Sequence, residues 1–268
     1  IKQEFNMKKV NVPSKINYNL AKLFGYYLGE GNYEKDRITF SEQREEIAKY
    51  YQSLIKEIFE INSALNFRKG KNYWQLRIYS RIISQLFKQI FQEKEKTLKE
   101  KIPSIILKSS DSSLSGFISG FFDAEGYVST GRVAFGINNP ILAKQIQFAL
   151  LRLGIISSIN QYDNNKNPYS NNIRYTLAID DIESLKTFQD KVNFTCLDKR
   201  EKLKRIIQNR SNRNKVRQLI VNGKDVARII RNSGLSTRQF NCPDFFNNKK
   251  QISKEVFKKN ILDKIVDD

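Results

Sequence analysis

Two stretches of the chain repeat one helical pattern of small and apolar residues. They read NLAKLFGYYLGEGNY over 19–33 and SLSGFISGFFDAEGYV over 113–128. Small residues recur every fourth position, which places them on one side of a helix. Each pattern ends at an acid followed by glycine, so we predict a helix that ends there. The small residues that coincide at an offset of 95 are Ala21 with Gly116, Gly25 with Gly120 and Gly29 with Ala124.

The sequence after each acid continues the repeat. Alternating apolar positions indicate strands, and apolar positions three and four apart indicate helices. The pattern therefore predicts an α+β fold of two tandem αββαββα repeats, at 15–110 and 111–205, related by a pseudo-two-fold axis. The predicted elements of the first copy are strands at 37–40, 64–68 and 73–79 and helices at 47–61 and 82–91. Those of the second copy are strands at 132–135, 158–163 and 173–179 and helices at 141–155 and 182–192.

The small residues predict that the two motif helices pack against each other. Glycine inside a helix costs about 1 kcal/mol relative to alanine, and close approach of two backbones is the usual reason to keep it. The alternative is a pair of generic buried helices with incidental glycines. Packing would bring Glu30 and Glu125 together at helix C-termini, where the helix dipole already disfavours negative charge. Divalent cations bound by oxygen ligands would satisfy such a pair.

The two motifs resemble those of the LAGLIDADG homing endonucleases, in the single-chain form with two motif copies. The resemblance lies on LFGYYLGEG (23–31) and ISGFFDAEG (118–126) and extends over about residues 15–205. Both copies depart from the family's literal letters but keep the helical glycine, the small residue before the acid, the acid and the closing glycine. The resemblance implies catalytic Glu30 and Glu125, with Mg²⁺ held there beside Gly29 and Ala124.

A basic residue near each acid is also implied by the resemblance. Lys101 lies 71 residues after Glu30 and Lys199 lies 74 residues after Glu125. Lys108 and Lys202 are the nearest competing candidates. Asp123 coincides with Leu28 of the first copy, so it is not expected to be a symmetric metal ligand.

Alternation along the strands predicts a polar face on each sheet. Arginine, asparagine and glutamine are the side chains that pair with base edges in the major groove, and a two-stranded ribbon fits that groove. The expected DNA contacts in the first copy are Arg37, Thr39, Ser41, Asn66, Arg68, Tyr73, Gln75 and Arg77. In the second copy they are Arg132, Asn138, Asn160, Tyr162, Arg174 and Thr176.

The composition favours a nucleic-acid partner and excludes histidine chemistry. The chain has 47 Lys and Arg against 28 Asp and Glu, a formal net charge of +19, and no histidine. Histidine-dependent triads, histidine-ligated metals and HNH-type nucleases are therefore excluded. Two distant cysteines fit a reducing compartment, and no apolar run is long enough to span a bilayer. We expect a soluble intracellular monomer, in a prokaryotic cytoplasm or an organelle matrix.

The segment after the repeats carries a disproportionate share of the charge. Residues 201–268 contain 17 basic and 7 acidic side chains. Within them GKDVARIIRNSGLSTRQF predicts a helix, a turn at Ser233-Gly234 and a second helix capped by Ser236. Ala227 and Ile230 are expected to face the core at helical spacing. We expect 206–268 to be a helix-turn-helix-like domain in which Thr237, Arg238 and Gln239 contact DNA; an ordinary helical hairpin would look the same.

Three functions follow from these patterns. The first is a homing endonuclease, intron- or intein-associated, that cuts both strands of a long asymmetric DNA target with Mg²⁺. The second is a non-cleaving DNA-binding regulator on the same fold, although such proteins lose the acids. The third is an RNA maturase. Self-splicing by this chain is not expected, because it begins with Ile1, ends with Asp268 and lacks histidine.

Overall fold

The computed structural model describes residues 9–34, 36–91, 100–163, 173–211 and 221–266. The chain divides into two compact units, Ile1–Asn212 and Arg213–Asp268. Within the described ranges no helix is sufficiently long and apolar to cross a membrane.

The first unit contains two copies of the predicted αββαββα order. The first copy comprises α1 (Tyr18–Glu30), β1 (Gly31–Glu34), β2 (Arg37–Glu42), α2 (Glu45–Phe59), β3 (Ala64–Arg68), β4 (Tyr73–Tyr79) and α3 (Arg81–Ile90). A short α4 (Ser104–Leu107) precedes the second copy. That copy comprises α5 (Asp111–Glu125), β5 (Tyr127–Ser129), β6 (Arg132–Ile137), α6 (Pro140–Arg152), β7 (Ser158–Tyr162), β8 (Arg174–Ile179) and α7 (Ile182–Lys191). Helix α8 (Leu197–Ser211) follows it.

Each copy forms one antiparallel four-stranded sheet with the same strand order. The orders are β1-β2-β4-β3 and β5-β6-β8-β7. The registers also coincide, since Phe40 lies opposite Leu76 in the first sheet and Phe135 lies opposite Leu177 in the second. The sequence repeat is therefore a structural repeat, as predicted.

Matching aromatic pairs join the motif helix of each copy to its last helix. The ring centroids of Tyr27 and Phe87 are 4.7 Å apart, and those of Phe122 and Phe188 are 5.0 Å apart. All four side chains are buried, and they belong to one continuous core that spans both copies. The apolar face of each sheet and the helices of each copy therefore contribute to one shared core.

The two motif helices, α1 and α5, touch backbone to backbone. A Cβ placed on Gly25 would lie 1.9 Å from the carbonyl oxygen of Phe117, and one on Gly120 would lie 1.9 Å from that of Lys22. The two contacts are pseudo-symmetric, because Phe117 is the counterpart of Lys22. A side chain at either glycine would force the helices apart, so the glycines are required by the close approach.

Several predicted boundaries are wrong by a few residues, for local reasons. The helix predicted at 47–61 ends at Phe59, because Glu60 takes a left-handed conformation with φ of 57°. The helix predicted at 141–155 is Pro140–Arg152, with Asn139 as its N-cap. Residues 164–172, a turn-rich stretch of the second copy, lie outside the described residues.

The second unit is a small helical cluster, and the expected second helix of its hairpin is wrong. Helix α9 (Gly223–Asn232) is present, with Ala227 and Ile230 buried as predicted. Ser236 caps only one 3-10 turn, Thr237–Phe240, which ends at left-handed Asn241. Pro243 then starts a separate turn, α10 (Pro243–Phe246), since a proline cannot continue the preceding hydrogen-bonded helix. The rest is α11 (Lys254–Phe257), a π-helical turn (Lys258–Leu262) and α12 (Asp263–Val266).

We predict that Gly25→Ala destabilises the protein by about 3 kcal/mol or more, because its methyl group would overlap the Phe117 carbonyl. Urea unfolding measures the change. Gly70→Ala is the matched control, since a Cβ there meets nothing within 4 Å. Equal stability of the two variants would show that α1 and α5 can separate at no cost.

Candidate active site

The two predicted acids are the last residues of α1 and α5, whose ends meet. Glu30 and Glu125 are both half-buried. A Cβ on Gly29 would lie 2.4 Å from Ala124 Cβ and 3.2 Å from Glu125 Cγ. The helices are therefore still in contact at the positions that precede the acids, and both carboxylates belong to one junction.

This junction suits a hydrated divalent cation better than an all-protein metal cage. In the described part of the chain, no group of three or more His, Cys, Asp or Glu side chains is placed to hold a metal. Mg²⁺ characteristically keeps several waters and takes one or two carboxylates together with substrate phosphates. Two carboxylates at touching helix ends, with main-chain carbonyls beside them, fit that mode of binding.

A cavity of about 360 Å³ opens beside Glu30 and combines residues of both copies. The first copy contributes the end of β2 and the start of β4, and the second contributes the end of α5. The lining residues are Glu30, Ser41, Glu42, Gln43, Arg44, Tyr73, Asp123, Ala124, Gly126 and Lys199.

Lys199, a predicted site residue, is buried in the wall of this cavity. Its Nζ donates to the carbonyl oxygen of Gly126 at 2.6 Å and to that of Asp123 at 3.2 Å. Burial lowers the pKa of Lys199, and the nearby charge of Arg44 lowers it further. The amine is therefore held at the end of α5, in the cavity that contains Glu30.

Glu42 is a cavity residue that the sequence analysis missed. Its carboxylate accepts from Tyr26 Oη at 3.0 Å and from the backbone N–H of Arg44 at 3.0 Å. Burial raises the pKa of Tyr26 well above its usual value, and the charges of Glu42 and Glu30 add to this rise. The one available signal was the break in alternation, where an acid follows Ile38 and Phe40 on the apolar face.

The other predicted lysine lies in different surroundings. Lys101 is exposed and lines a cavity of about 550 Å³ with Leu28 and Gln145. Leu28 is the counterpart of Asp123, but no strand residue lines this cavity, so its lining differs from that of the cavity beside Glu30. Neither Glu30 nor Glu125 lines the Lys101 cavity. The role of Lys101 in the active site therefore stays a prediction.

Asp123 lies at the centre of a buried network between the copies. Its carboxylate accepts from Tyr51 Oη at 2.7 Å and from the backbone N–H of Thr195 at 2.6 Å. Lys22 Nζ lies 3.5 Å from Asp123 Oδ2 and donates to Ser119 Oγ at 3.0 Å. Burial lowers the pKa of Lys22, and Asp123 opposes the change. Asp123 is thus committed to structural contacts.

The predicted DNA contacts of the first copy lie on the face of the first sheet opposite its core. Strand pairing places Thr39 opposite Arg77 and Ser41 opposite Gln75. Arg68 donates to Gln75 at 2.8 Å. The prediction that Thr39 is exposed is wrong: the residue is buried, and its hydroxyl donates to Glu34 at 2.8 Å. Of this set, Ser41 and Tyr73 line the cavity beside Glu30, and Arg37, Asn66, Arg68, Gln75 and Arg77 lie along the strands.

The second sheet presents a sparser polar face. Arg132, Asn160 and Tyr162 are exposed, and Thr176 lies opposite Asn160. Arg174 lies over Gly136 and donates to its carbonyl oxygen at 3.2 Å. Asn138, an expected DNA contact, lies just after β6 and has a buried side-chain oxygen without a described partner. Among the three predicted contacts of the second unit, Arg238 and Gln239 are exposed and Thr237 is half-buried.

Comparison with known proteins identifies the repeat. The sequence profile of the LAGLIDADG-like domain matches residues 17–92 and 112–193. The chain is 30% identical over 203 residues to a glutamine–fructose-6-phosphate aminotransferase of Methanocaldococcus jannaschii, covering 74% of this chain and 18% of that protein. It is 26% identical over 221 residues to the replication factor C small subunit of the same organism, covering 81% of this chain and 12% of that protein. The chain thus spans less than a fifth of either relative.

Solved structures that resemble this one include the following two. Full-length DUF199/WhiA from Thermatoga maritima aligns with a TM-score of 0.50 and 14% identity, over 84% of this chain and 69% of that chain. I-DmoI in complex with DNA and Mn aligns with a TM-score of 0.49 and 21% identity, over 66% of this chain and 97% of that chain. At 14% identity, the similarity to WhiA is evidence for a shared fold only.

We predict strong energetic coupling between Lys22 and Asp123. Asp123→Leu alone should cost about 3–5 kcal/mol, because it leaves a buried ammonium without its partner. Combining it with Lys22→Met should recover about 1–3 kcal/mol of that loss in urea unfolding. The exposed pair Glu45 and Lys49 is the control and should show coupling below about 0.5 kcal/mol. Additive effects of the buried pair would contradict the prediction.

Proposed function

Because the chain belongs to the LAGLIDADG-like domain family, we propose that it is a site-specific homing endonuclease that hydrolyses both strands of DNA with Mg²⁺. The observation that carries the proposal is the pair of acids, Glu30 and Glu125, at the touching ends of pseudo-symmetric helices. Two equivalent acids suit a reaction that is performed twice, once on each antiparallel strand of a duplex.

Glu30 and Glu125 would hold the metal, with the carbonyl groups of Gly29 and Ala124 beside them. Mg²⁺ bound there would supply Lewis acidity at the leaving 3′ oxygen and an activated water. In this proposal the protein's own contribution is placement, because the helix ends hold both carboxylates while the strands hold the duplex.

Lys199 would act on the phosphate in the cavity that contains Glu30. Its amine is already oriented by the carbonyl oxygens of Gly126 and Asp123, so little reorganisation is needed when a phosphate arrives. Arg44 and Tyr73 line the same cavity and would bind the neighbouring sugar-phosphate backbone. Lys101 is the proposed counterpart for the other strand.

The polar faces of the two sheets would read the two halves of the target. Arg77 and Gln75 of the first sheet are equivalent in register to Ala178 and Thr176 of the second. Because these side chains differ, the two half-sites should differ in sequence. One chain supplies both halves, and we therefore expect it to act as a monomer. The second unit would add phosphate contacts, since 213–268 carries 13 basic and 6 acidic residues.

The relatives support the proposal that this chain belongs to a mobile element. The matched segment occupies under a fifth of two proteins whose names indicate unrelated activities. A segment shared by unrelated hosts moves independently of them, as an intein- or intron-associated endonuclease does.

The two alternative functions make different demands on the site. A DNA-binding regulator gains nothing from two acids at touching helix ends, where repulsion and the helix dipoles both destabilise them. An RNA maturase would use the same sheets on RNA. Incubation with linear DNA in Mg²⁺ and then in EDTA separates the nuclease from both.

We predict that Glu30→Gln and Glu125→Gln each remove double-strand cleavage and leave specific binding largely intact, since the charge is needed for metal and not for the duplex. The substrate is linear DNA that carries a site selected from a randomised duplex library. Glu46→Gln, which changes an exposed acid on α2, should cut normally. Full cleavage by either active-site variant would overturn the proposal.

We predict that removing 213–268 weakens DNA binding and reduces its salt dependence without removing cleavage. The segment contributes a formal net charge of +7, and the slope of log K against log salt scales with the number of neutralised phosphates. Gel-shift titrations over a range of salt concentrations measure the slope. An unchanged slope would show that this unit does not contact DNA.

A further inference from the structure

The polar face of the first sheet carries an acid that the proposed function does not use. Glu34 is the last residue of β1 and pairs with Arg37 across the β1–β2 ladder. Its side chain is about 30% exposed, and that of Arg37 about 37%. An acid on a surface that approaches DNA is unfavourable on charge alone, so a different reason for it is required.

The Glu34 carboxylate organises the basic residues around it. One oxygen accepts from the guanidinium of Arg37 and the other accepts from Thr39 Oγ1. The hydrogen bond from Arg37 lowers the pKa of Glu34, and the charge of Arg77 contributes to the same shift. Arg37 also lies over the ring of Tyr79, 5.9 Å from its centroid. The guanidinium is thus held by a carboxylate on one side and a ring on the other.

Arg77 completes the cluster with an unused donor. It pairs with Thr39 across the ladder, and its Nε is buried with no hydrogen-bond partner among the described residues. A buried donor without an acceptor destabilises the structure that contains it. A base edge or phosphate that reaches this face would offer the missing acceptor.

The second copy has the same arrangement without the charge. The counterpart of Glu34 is Ser129, and that of Arg37 is Arg132. Ser129 pairs with Arg132 across the β5–β6 ladder, and Arg132 Nε donates to Ser129 Oγ at 3.3 Å. In both copies the last residue of the first strand holds an arginine of the next strand. Only in the first copy, where that residue is Glu34, is the charge of the arginine also neutralised.

We propose that Glu34 is a specificity-determining residue: it fixes the Arg37 guanidinium and cancels its charge, so that the first sheet discriminates bases instead of binding any phosphate. Arg132, held by an uncharged hydroxyl, keeps its full attraction for the backbone. This inference rests on the proposed sequence-specific binding of DNA. It follows that the two half-sites contribute unequally, the first more to sequence discrimination and the second more to general affinity.

The test uses the full chain in EDTA, so that binding is measured without cleavage. Glu34→Ser, Ser129→Glu and the double exchange are compared with the unchanged protein, and Glu34→Gln keeps the shape of the side chain. Each is titrated with a random-sequence duplex at several salt concentrations and used to select from a randomised duplex library. Glu183→Ser is the matched control, since Glu183 also pairs three residues along the chain, with Lys186, but lies on α7.

We expect Glu34→Ser to bind the random duplex more tightly, with a slope against log salt steeper by about one phosphate. Base discrimination should fall by about tenfold in one half of the selected site, the half that Arg77→Ala also relaxes. Glu34→Gln should act in the same direction. The double exchange should restore the original slope, because the net charge is unchanged, while that half-site stays relaxed.

Two results would overturn the inference. If Glu34→Ser and Glu183→Ser raise affinity equally and neither alters the selected sequence, Glu34 acts only through net charge. If Glu34→Ser relaxes both halves equally, the residue does not act through the first sheet. A separate result, in which the unchanged protein selects no sequence at all, would overturn the proposed function and this inference with it.

Discussion

Close packing of α1 against α5 is the constraint on which the rest of the first unit depends. The helices approach so closely at Gly25 and Gly120 that backbone carbonyls occupy the space of side chains. The contact brings two sheets into one pseudo-symmetric body, and it also places two acids at one junction. The same packing that stabilises the fold therefore brings the two acids to the place where the proposed metal would bind.

The symmetry of that packing is broken by a buried polar network. Lys22 and Asp123 form a buried ion pair between the copies, whereas their counterparts, Phe117 and Leu28, are both apolar. The network reaches Tyr51 of the first copy and Thr195 after the second, so it joins elements that the glycine contacts do not. Because the backbone carbonyl of Asp123 also accepts from Lys199, the network and the cavity beside Glu30 share one anchor. The two halves of the junction therefore offer different chemistry.

The positive charge of the strand faces is partly compensated at particular arginines. A formal net charge of +19 is ample for general attraction to a polyanion. Discrimination between bases instead requires hydrogen-bond donors that are held in place and whose charge is partly compensated. Glu34 with Arg37 is such an arrangement on the first sheet, and Gln75 holds Arg68 in place without compensating its charge. The second sheet has Arg174 lying over Gly136, with a main-chain acceptor only.

The sequence by itself determined the repeat, the order of its elements and the acids at the helix ends, because these depend on periodicity and on local capping. It also determined that Ala227 and Ile230 are buried, since helical spacing decides that locally. Only the tertiary structure decided the placement of Lys199 beside Glu30, the burial of Thr39 and the commitment of Asp123, because each depends on residues far away in the chain. The second helix expected after Ser236 is wrong for a local reason, since left-handed Asn241 and then Pro243 end the turn there. Packing around Phe240 and Phe245 completes the unit.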